Sequence, residues 1–158
     1  MGIITNIIMA KIRITKEFKF ETAHALKGYD GLCKNIHGHS YELLVTIIGE
    51  PIEDKNSPKL GMVMDFGDLK RIVREEIVDE MDHALILNKE SKEAQNLLGR
   101  DEMFNRVMLV DYQPSSENML VDFAERIQPH LSNGIKLYSM LLRETVTSYA
   151  EWFAADQD

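Results

Sequence analysis

The sequence predicts an α+β fold, a four-stranded antiparallel sheet with two helices between its strand pairs. Three observations carry this. Apolar residues alternate with period two near both ends of the chain. Two central stretches place apolar residues at helical spacing. The links inside each strand pair are short, as antiparallel neighbours allow.

From Lys11 to His24, Ile12, Ile14, Phe18 and Phe20 share one parity, and charged or polar residues mostly hold the other, the pattern of a half-buried strand. The β-branched, apolar run "HSYELLVTIIGE" (39–50) is the second strand, ended by Gly49 and Pro51. "EPIEDKNSPKLG" (50–61) gathers Pro, Asn, Ser and Gly and is a surface loop. In "DFGDLKRIVREEIVDEMDH" (65–83), Phe66, Leu69, Ile72, Val73, Ile77 and Met81 form an apolar stripe, so this is the first helix. Residues 89–106 are charged and weakly periodic, a short helix capped by Ser91 and stopped by Gly99. "VMLVDY" (107–112) reads as a brief edge strand. "PSSENMLVDFAERIQPHL" (114–131) starts on helix-capping serines and carries Leu120, Phe123, Ala124, Ile127 and Leu131 on one stripe, closed by "SNG". "IKLYSMLLRET" and "TSYAEWF" supply the last two strands. No repeat or linker divides the chain, so one domain is expected over residues 9–155.

The 158 residues are enough to bury roughly 68–70% of the unfolded surface, so the domain needs no metal or disulfide for stability. A formal charge of −8 excludes a broad basic grip on nucleic acid. The single cysteine cannot form an internal disulfide, which points to a reducing compartment, the cytoplasm. No run approaches the ~18 apolar residues of a membrane span. "MGIITNIIMA" lacks a basic flank and a cleavage site, so it is not read as a signal peptide. Met9 is the expected start, with residues 1–8 a short extension.

"CKNIHGHSYE" (33–42) holds the most informative chemistry. On a strand, His37 and His39 point to one face, and His24 at the end of the first strand joins them if the two strands form a hairpin. Three imidazoles suit a zinc ion with an open fourth position. The alternatives are ordinary surface histidines, or a closed structural site with Cys33 as fourth ligand. Ample core argues against the closed site. Beside an open site, Cys33 would favour its thiolate and serve as a base. In "MDHALILN", Asp82 next to His83 suits a proton relay, but adjacent helical residues do not face each other, so pairing requires the chain to leave the helix there. Read alone, His83 is a helix-terminal histidine facing the dipole. Glu144 of "RET" shares parity with Lys136, Tyr138, Met140 and Leu142; its carboxylate suits a guanidine-like edge, or simply faces solvent. In "PSSEN", Ser115 or Ser116 caps a helix. His130 reads as a surface residue.

Together, "FKFETAH", "CKNIHGHSYE", "GMVMDFGDLK", "DHALILN", "PSSEN" and "RET" resemble the 6-pyruvoyl-tetrahydropterin synthase superfamily, and within it the 6-carboxy-tetrahydropterin synthases of the queuosine (7-deazaguanine) pathway. The resemblance runs in family order from residue 16 to about residue 146. Only Lys34, Asn35 and Ile36 separate Cys33 from His37, the spacing of the carboxy branch; the pyruvoyl branch usually has five residues there, and a third branch has glutamate for the cysteine. The resemblance implies the tunnelling fold (T-fold), closed into a barrel by homo-oligomerisation, with a hexamer expected. It implies zinc on His24, His37 and His39, Cys33 as proton acceptor, a relay of His83 and Glu144 supported by Asp82, and a pterin held by Glu144 and Ser116. Cys33 and the relay would come from different subunits. The implied reaction converts 7,8-dihydroneopterin triphosphate to 6-carboxy-5,6,7,8-tetrahydropterin with loss of acetaldehyde and triphosphate. The alternatives are a 6-pyruvoyl-tetrahydropterin synthase and a non-catalytic oligomer with a closed Cys-His₃ zinc. Lys19, Lys27 and Lys34 are candidates for the triphosphate. Ser115, where threonine is common, and the long 89–106 stretch depart from the family pattern.

Overall fold

The computed structural model describes residues 10–131 and 134–157. The expected extension over residues 1–8, the expected start at Met9, and Ser132 and Asn133 of the expected helix stop lie outside the described residues. In chain order the elements are strands β1 (Ile12–Ala25) and β2 (His37–Gly49), helix α1 (Phe66–Val73), strands β3 (Ala84–Asn88) and β4 (Val107–Val110), helix α2 (Ser116–Ile127), and strands β5 (Lys136–Thr145) and β6 (Ser148–Phe153). Helix α1 continues through a wide π turn, Arg74–Val78, into a last turn, Asp79–Met81.

The sheet runs β4-β3-β1-β2-β5-β6. Its four-stranded antiparallel part, β1-β2-β5-β6, consists of the predicted strands. The strand count differs from the expectation: β3 and β4 add two strands, parallel to β1 and to each other. β4 occupies the predicted edge strand. β3, "ALILN", is a short apolar run directly after a helix, where length and periodicity do not separate a strand from a further helical turn. Its parallel pairing is possible because α1 carries the chain back across the sheet between β2 and β3.

One face of the sheet is apolar and covered by both helices. Phe18 and Phe20 of β1 and Tyr41, Leu43, Val45 and Ile47 of β2 pack with Leu69, Val73, Ile77 and Met81 of α1 and its continuation, and with Met119, Phe123 and Ile127 of α2. Both helix starts are capped by side chains. Asp65 accepts the Gly67 N–H at 2.7 Å, and Ser115, the first of the two serines, accepts the Asn118 N–H at 3.4 Å. Ser91 precedes a single helical turn (Lys92–Gln95), but its hydroxyl donates to the Glu93 carboxylate at 3.3 Å and caps nothing.

Two irregularities in β5 set the direction of its last side chains. Against β2, Leu137 pairs with Ile47 and Ser139 with Thr46, so Tyr138 is an extra residue in the ladder. The parity expected for Glu144 therefore breaks. Lys136 is exposed, Tyr138 meets the Arg13 guanidinium at 3.9 Å from its ring centroid, and Met140 and Leu142 turn into the core with Leu137. A second register shift lies between Arg143 and Thr145 against β6, at Glu144 itself. Such bulges re-aim a side chain while the flanking ladder continues.

Candidate metal centre

The register of β1 and β2 sets His24 directly opposite His37, and Thr22 opposite His39. Alternation then sends all three imidazoles to the helix-covered face, at the end of the sheet where the apolar core stops. His24 is 2% exposed and His39 has 15% of its side chain exposed. The rings stand close, with centroids 4.5 Å apart for His24 and His37, 5.0 Å for His37 and His39, and 5.1 Å for His24 and His39.

Backbone carbonyls set the ring tautomers. His24 Nδ1–H donates to the Pro114 carbonyl at 2.7 Å, and His37 Nδ1–H donates to the Asn35 carbonyl at 2.7 Å. Each ring is then left with a lone pair on Nε2. Those two Nε2 atoms face each other at 3.1 Å, and with both protons on Nδ1 there is none to bridge them. His39 Nε2 is buried without a hydrogen-bond partner; Glu144 Oε1 lies 2.9 Å from it, but at an angle no hydrogen bond accepts. The ligand atoms of His24, His37, His39 and Glu144 all lie within 4.8 Å of one another.

These residues fit a zinc ion. Donors 2.0–2.1 Å from a tetrahedral zinc stand roughly 3.3 Å apart, close to the separation of the two facing nitrogens. Hydrogen bonds from Nδ1–H to carbonyls are the usual support of zinc-binding imidazoles. Burial lowers the pKa of His24; the Pro114 carbonyl and Glu144 oppose that, and His37 and His39 reinforce it. His39 is also lowered, chiefly by burial. Both imidazoles are thus held neutral, the form that binds metal.

This has a consequence for the metal-free protein. A histidine whose folded pKa lies below its ordinary 6.5 contributes stability that is complete above that value and is lost as the pH falls through the folded value. Urea midpoints of the metal-free chain are expected to drop as the pH is lowered from about 6.5, and His24→Asn should flatten the drop. A midpoint that stays level between neutral pH and the carboxylate range would contradict the neutral, buried state of these rings.

Cys33 does not join the group. It sits in a short turn, Leu32–Lys34, half-buried, and its carbonyl accepts the Leu26 N–H at 2.9 Å. Glu144, which the sequence offers as a pterin anchor or relay member, lies against the histidines, on the face it shares by alternation with the buried Met140 and Leu142. Ser116, 6% exposed, donates its hydroxyl to Glu144 Oε2.

Asp82 and His83 lie elsewhere. The helix ends at Met81, Asp82 is extended, and His83 takes φ +61, the left-handed conformation. The chain thus leaves helical geometry, and His83 Nδ1 comes within 3.1 Å of Asp82 Oδ2. The turn is pinned to β1: Asp82 Oδ1 accepts the Glu21 N–H at 2.9 Å, the His83 N–H donates to the Glu21 carbonyl at 2.6 Å, and the Thr22 hydroxyl donates to the Met81 carbonyl at 2.7 Å. The Glu21 N–H is the first cause that holds the Asp82 carboxyl below its usual range. His83 has 74% of its side chain exposed and borders a groove of about 350 Å³ whose lining includes Thr22, His39 and Ala84 and also Glu21, Ala23, Gly38 and Ser40. By strand alternation those four belong to the face away from the helices. Within one chain, His83 is not among the groups gathered with the three histidines at metal-binding distance.

Three residues of the site escape the sequence reading. Tyr41 lies beneath the histidines, its ring centroid 5.5 Å from that of His39 and its buried hydroxyl unpartnered. Burial, then the nearby Glu144 charge, raises its pKa. Its position two residues after His39 on the same parity is a signal the alternation contains. Pro114 and Gln113 left none, since their roles depend on a contact across 90 residues of chain for the Pro114 carbonyl and 86 for Gln113.

Comparisons with known proteins agree with this architecture. The family model described as 6-pyruvoyl tetrahydropterin synthase matches residues 13–155. A Haemophilus influenzae protein named 6-carboxy-5,6,7,8-tetrahydropterin synthase is 36% identical over 141 residues, covering 89% of this chain and 97% of the relative. A Pyrococcus horikoshii protein named as a putative enzyme of the same kind is 36% identical over 159 residues, covering 92% and 90%. Among solved structures, Caenorhabditis elegans 6-pyruvoyl tetrahydropterin synthase superposes with TM-score 0.64 at 25% identity, covering 92% of this chain and 97% of that one. A Wolinella succinogenes protein superposes with TM-score 0.72 at 22% identity, covering 92% and 99%, a likeness of fold.

Proposed function

The chain belongs to the 6-pyruvoyl tetrahydropterin synthase family, and from that premise we propose that it is the zinc-dependent 6-carboxy-5,6,7,8-tetrahydropterin synthase of queuosine biosynthesis. Its substrates are 7,8-dihydroneopterin triphosphate and water, and its products are 6-carboxy-5,6,7,8-tetrahydropterin, acetaldehyde and triphosphate. The observation that carries the reading is the convergence of His24, His37 and His39, two of them with Nδ1–H tied to carbonyls, beside a cysteine that stays outside the group. The names of the relatives and the three-residue spacing from Cys33 to His37 support the carboxy branch.

His24, His37 and His39 would hold the zinc, which would supply Lewis-acid polarisation of the substrate side-chain oxygens. The remaining work belongs to the chain's own groups. Cys33 accepts a proton from the side chain. Glu144, oriented by the Ser116 hydroxyl, accepts hydrogen bonds from the amino and ring N–H edge of the pterin. His83 moves protons as the side chain cleaves, and Asp82 holds its Nδ1. Lys27 and Lys34 lie on the loop that carries Cys33 and are candidates for the triphosphate; Lys27 is paired with Glu90 at 3.4 Å and Lys19 with Glu42 at 3.1 Å.

His83 does not join the histidine group within the chain, and the family resemblance implies that Cys33 and the relay come from different subunits, so we take the site to be assembled between chains and the protein to work as a homo-oligomer. Co-expressing Cys33→Ala with His83→Ala is expected to return activity to about a quarter of the sites in randomly mixed oligomers, although each variant alone is inactive. Mixed oligomers as inactive as the parents would place both groups in one chain's site.

The reaction is tested by incubating the zinc-loaded protein with 7,8-dihydroneopterin triphosphate and following acetaldehyde and the mass of the pterin. Acetaldehyde in step with a 6-carboxy product is expected. A 6-pyruvoyl product without acetaldehyde would assign the chain to the activity named for the family model. Absence of turnover by metal-replete oligomer would leave a non-catalytic zinc protein.

A further inference from the structure

We infer that Gln113 is a positioning residue that holds a metal ligand and the proton acceptor in one frame. The inference rests on the roles proposed above for His24 and Cys33. Gln113 lies just before α2 and is partly buried. Its side-chain amide makes a two-point clamp on the backbone of Lys27: Oε1 accepts the Lys27 N–H at 3.0 Å, and Nε2 donates to the Lys27 carbonyl at 2.7 Å. This is the pairing a neighbouring strand would offer, supplied by one side chain where β1 has ended.

Each end of the clamp leads to a site residue. On one side, the next residue, Pro114, presents the carbonyl that accepts His24 Nδ1–H at 2.7 Å. The carbonyl of Gln113 is itself held, by the Ser115 N–H at 2.7 Å and by Asn118 Nδ2 at 3.0 Å. On the other side, Leu26 precedes Lys27, and its N–H donates to the Cys33 carbonyl at 2.9 Å. The clamp therefore ties the strand end bearing His24 and the turn bearing Cys33 to the segment that fixes the His24 tautomer. Removing the amide frees Lys27 from Gln113, loosening Leu26 and Cys33 on one side and Pro114 on the other. Gln113 touches neither metal nor substrate in this arrangement.

The test uses the full chain and two variants, Gln113→Met, which keeps the length without the hydrogen bonds, and Gln113→Ala. Zinc affinity is measured by competition with a chelator, and Cys33, the only cysteine of the chain, is titrated with iodoacetamide in the metal-free protein. Circular dichroism establishes that each variant is folded. Zinc binding about tenfold weaker than wild type, with faster alkylation of Cys33, is expected of both variants. A Met variant that matches wild type in either quantity overturns the inference, because a side chain that merely fills space is replaced by methionine without loss. If the wild-type chain binds no zinc, the metal reading fails by itself, and the alkylation rate of the Met variant decides the Gln113 inference against the same expectation.

Discussion

Cys33→Ala is expected to bind zinc with the stoichiometry of the wild type and to lose turnover by about 10²–10⁴-fold, the usual contribution of a positioned general base. The reason is geometric. Among the described residues, the group within metal-binding distance of one another is His24, His37, His39 and Glu144, and the thiol lies outside it. Removing it leaves the imidazoles and the Pro114 and Asn35 carbonyls as they were. Metal content by atomic emission and turnover by acetaldehyde release separate the two effects. Zinc lost together with the thiol would show a closed Cys-His₃ site and sink the assignment of Cys33 as the base.

His37→Ala is expected to lose both. An apparent 10–16 kcal/mol of zinc binding shared among three histidine ligands is about 3–5 kcal/mol for each, or about two to four powers of ten in affinity. The variant should therefore lose its metal on dialysis against a mild chelator that wild type survives, and its turnover should fall with the metal content. The fold should remain, because His37 stands at the start of β2 and the buried core begins at Tyr41. Stoichiometric zinc retained after dialysis would remove His37 from the ligand set.

Much of the fold is legible in the chain. The alternation of Phe18 and Phe20 with charged neighbours, and the stripe from Leu69 to Met81, are local patterns, and the elements they mark stand where the periods put them. The two parallel strands are not legible in this way. "ALILN" carries no pattern that tells a strand from a helical turn, and its pairing with β1 follows from where α1 delivers it. The candidate site divides along the same line. That His37 and His39 share a face follows from the period of a strand alone. That Glu144 faces them depends on the first register shift in β5, which sets it with Met140 and Leu142 on the core face and breaks the parity that joins it to Lys136 and Tyr138.

By itself, then, the sequence determines the inventory and its local order: which residues can bind metal, donate or accept protons, and which lie on one face of one element. It does so because the helical and strand periods are properties of the backbone and need no partner. The tertiary structure decides which of these groups meet. It brings Pro114 and Gln113 to the end of β1, turns Glu144 onto the histidines, and keeps His83 out of their group. These outcomes depend on register, bulges and a left-handed turn pinned by bonds to Glu21, which arise from packing and hydrogen bonding between segments far apart in the chain.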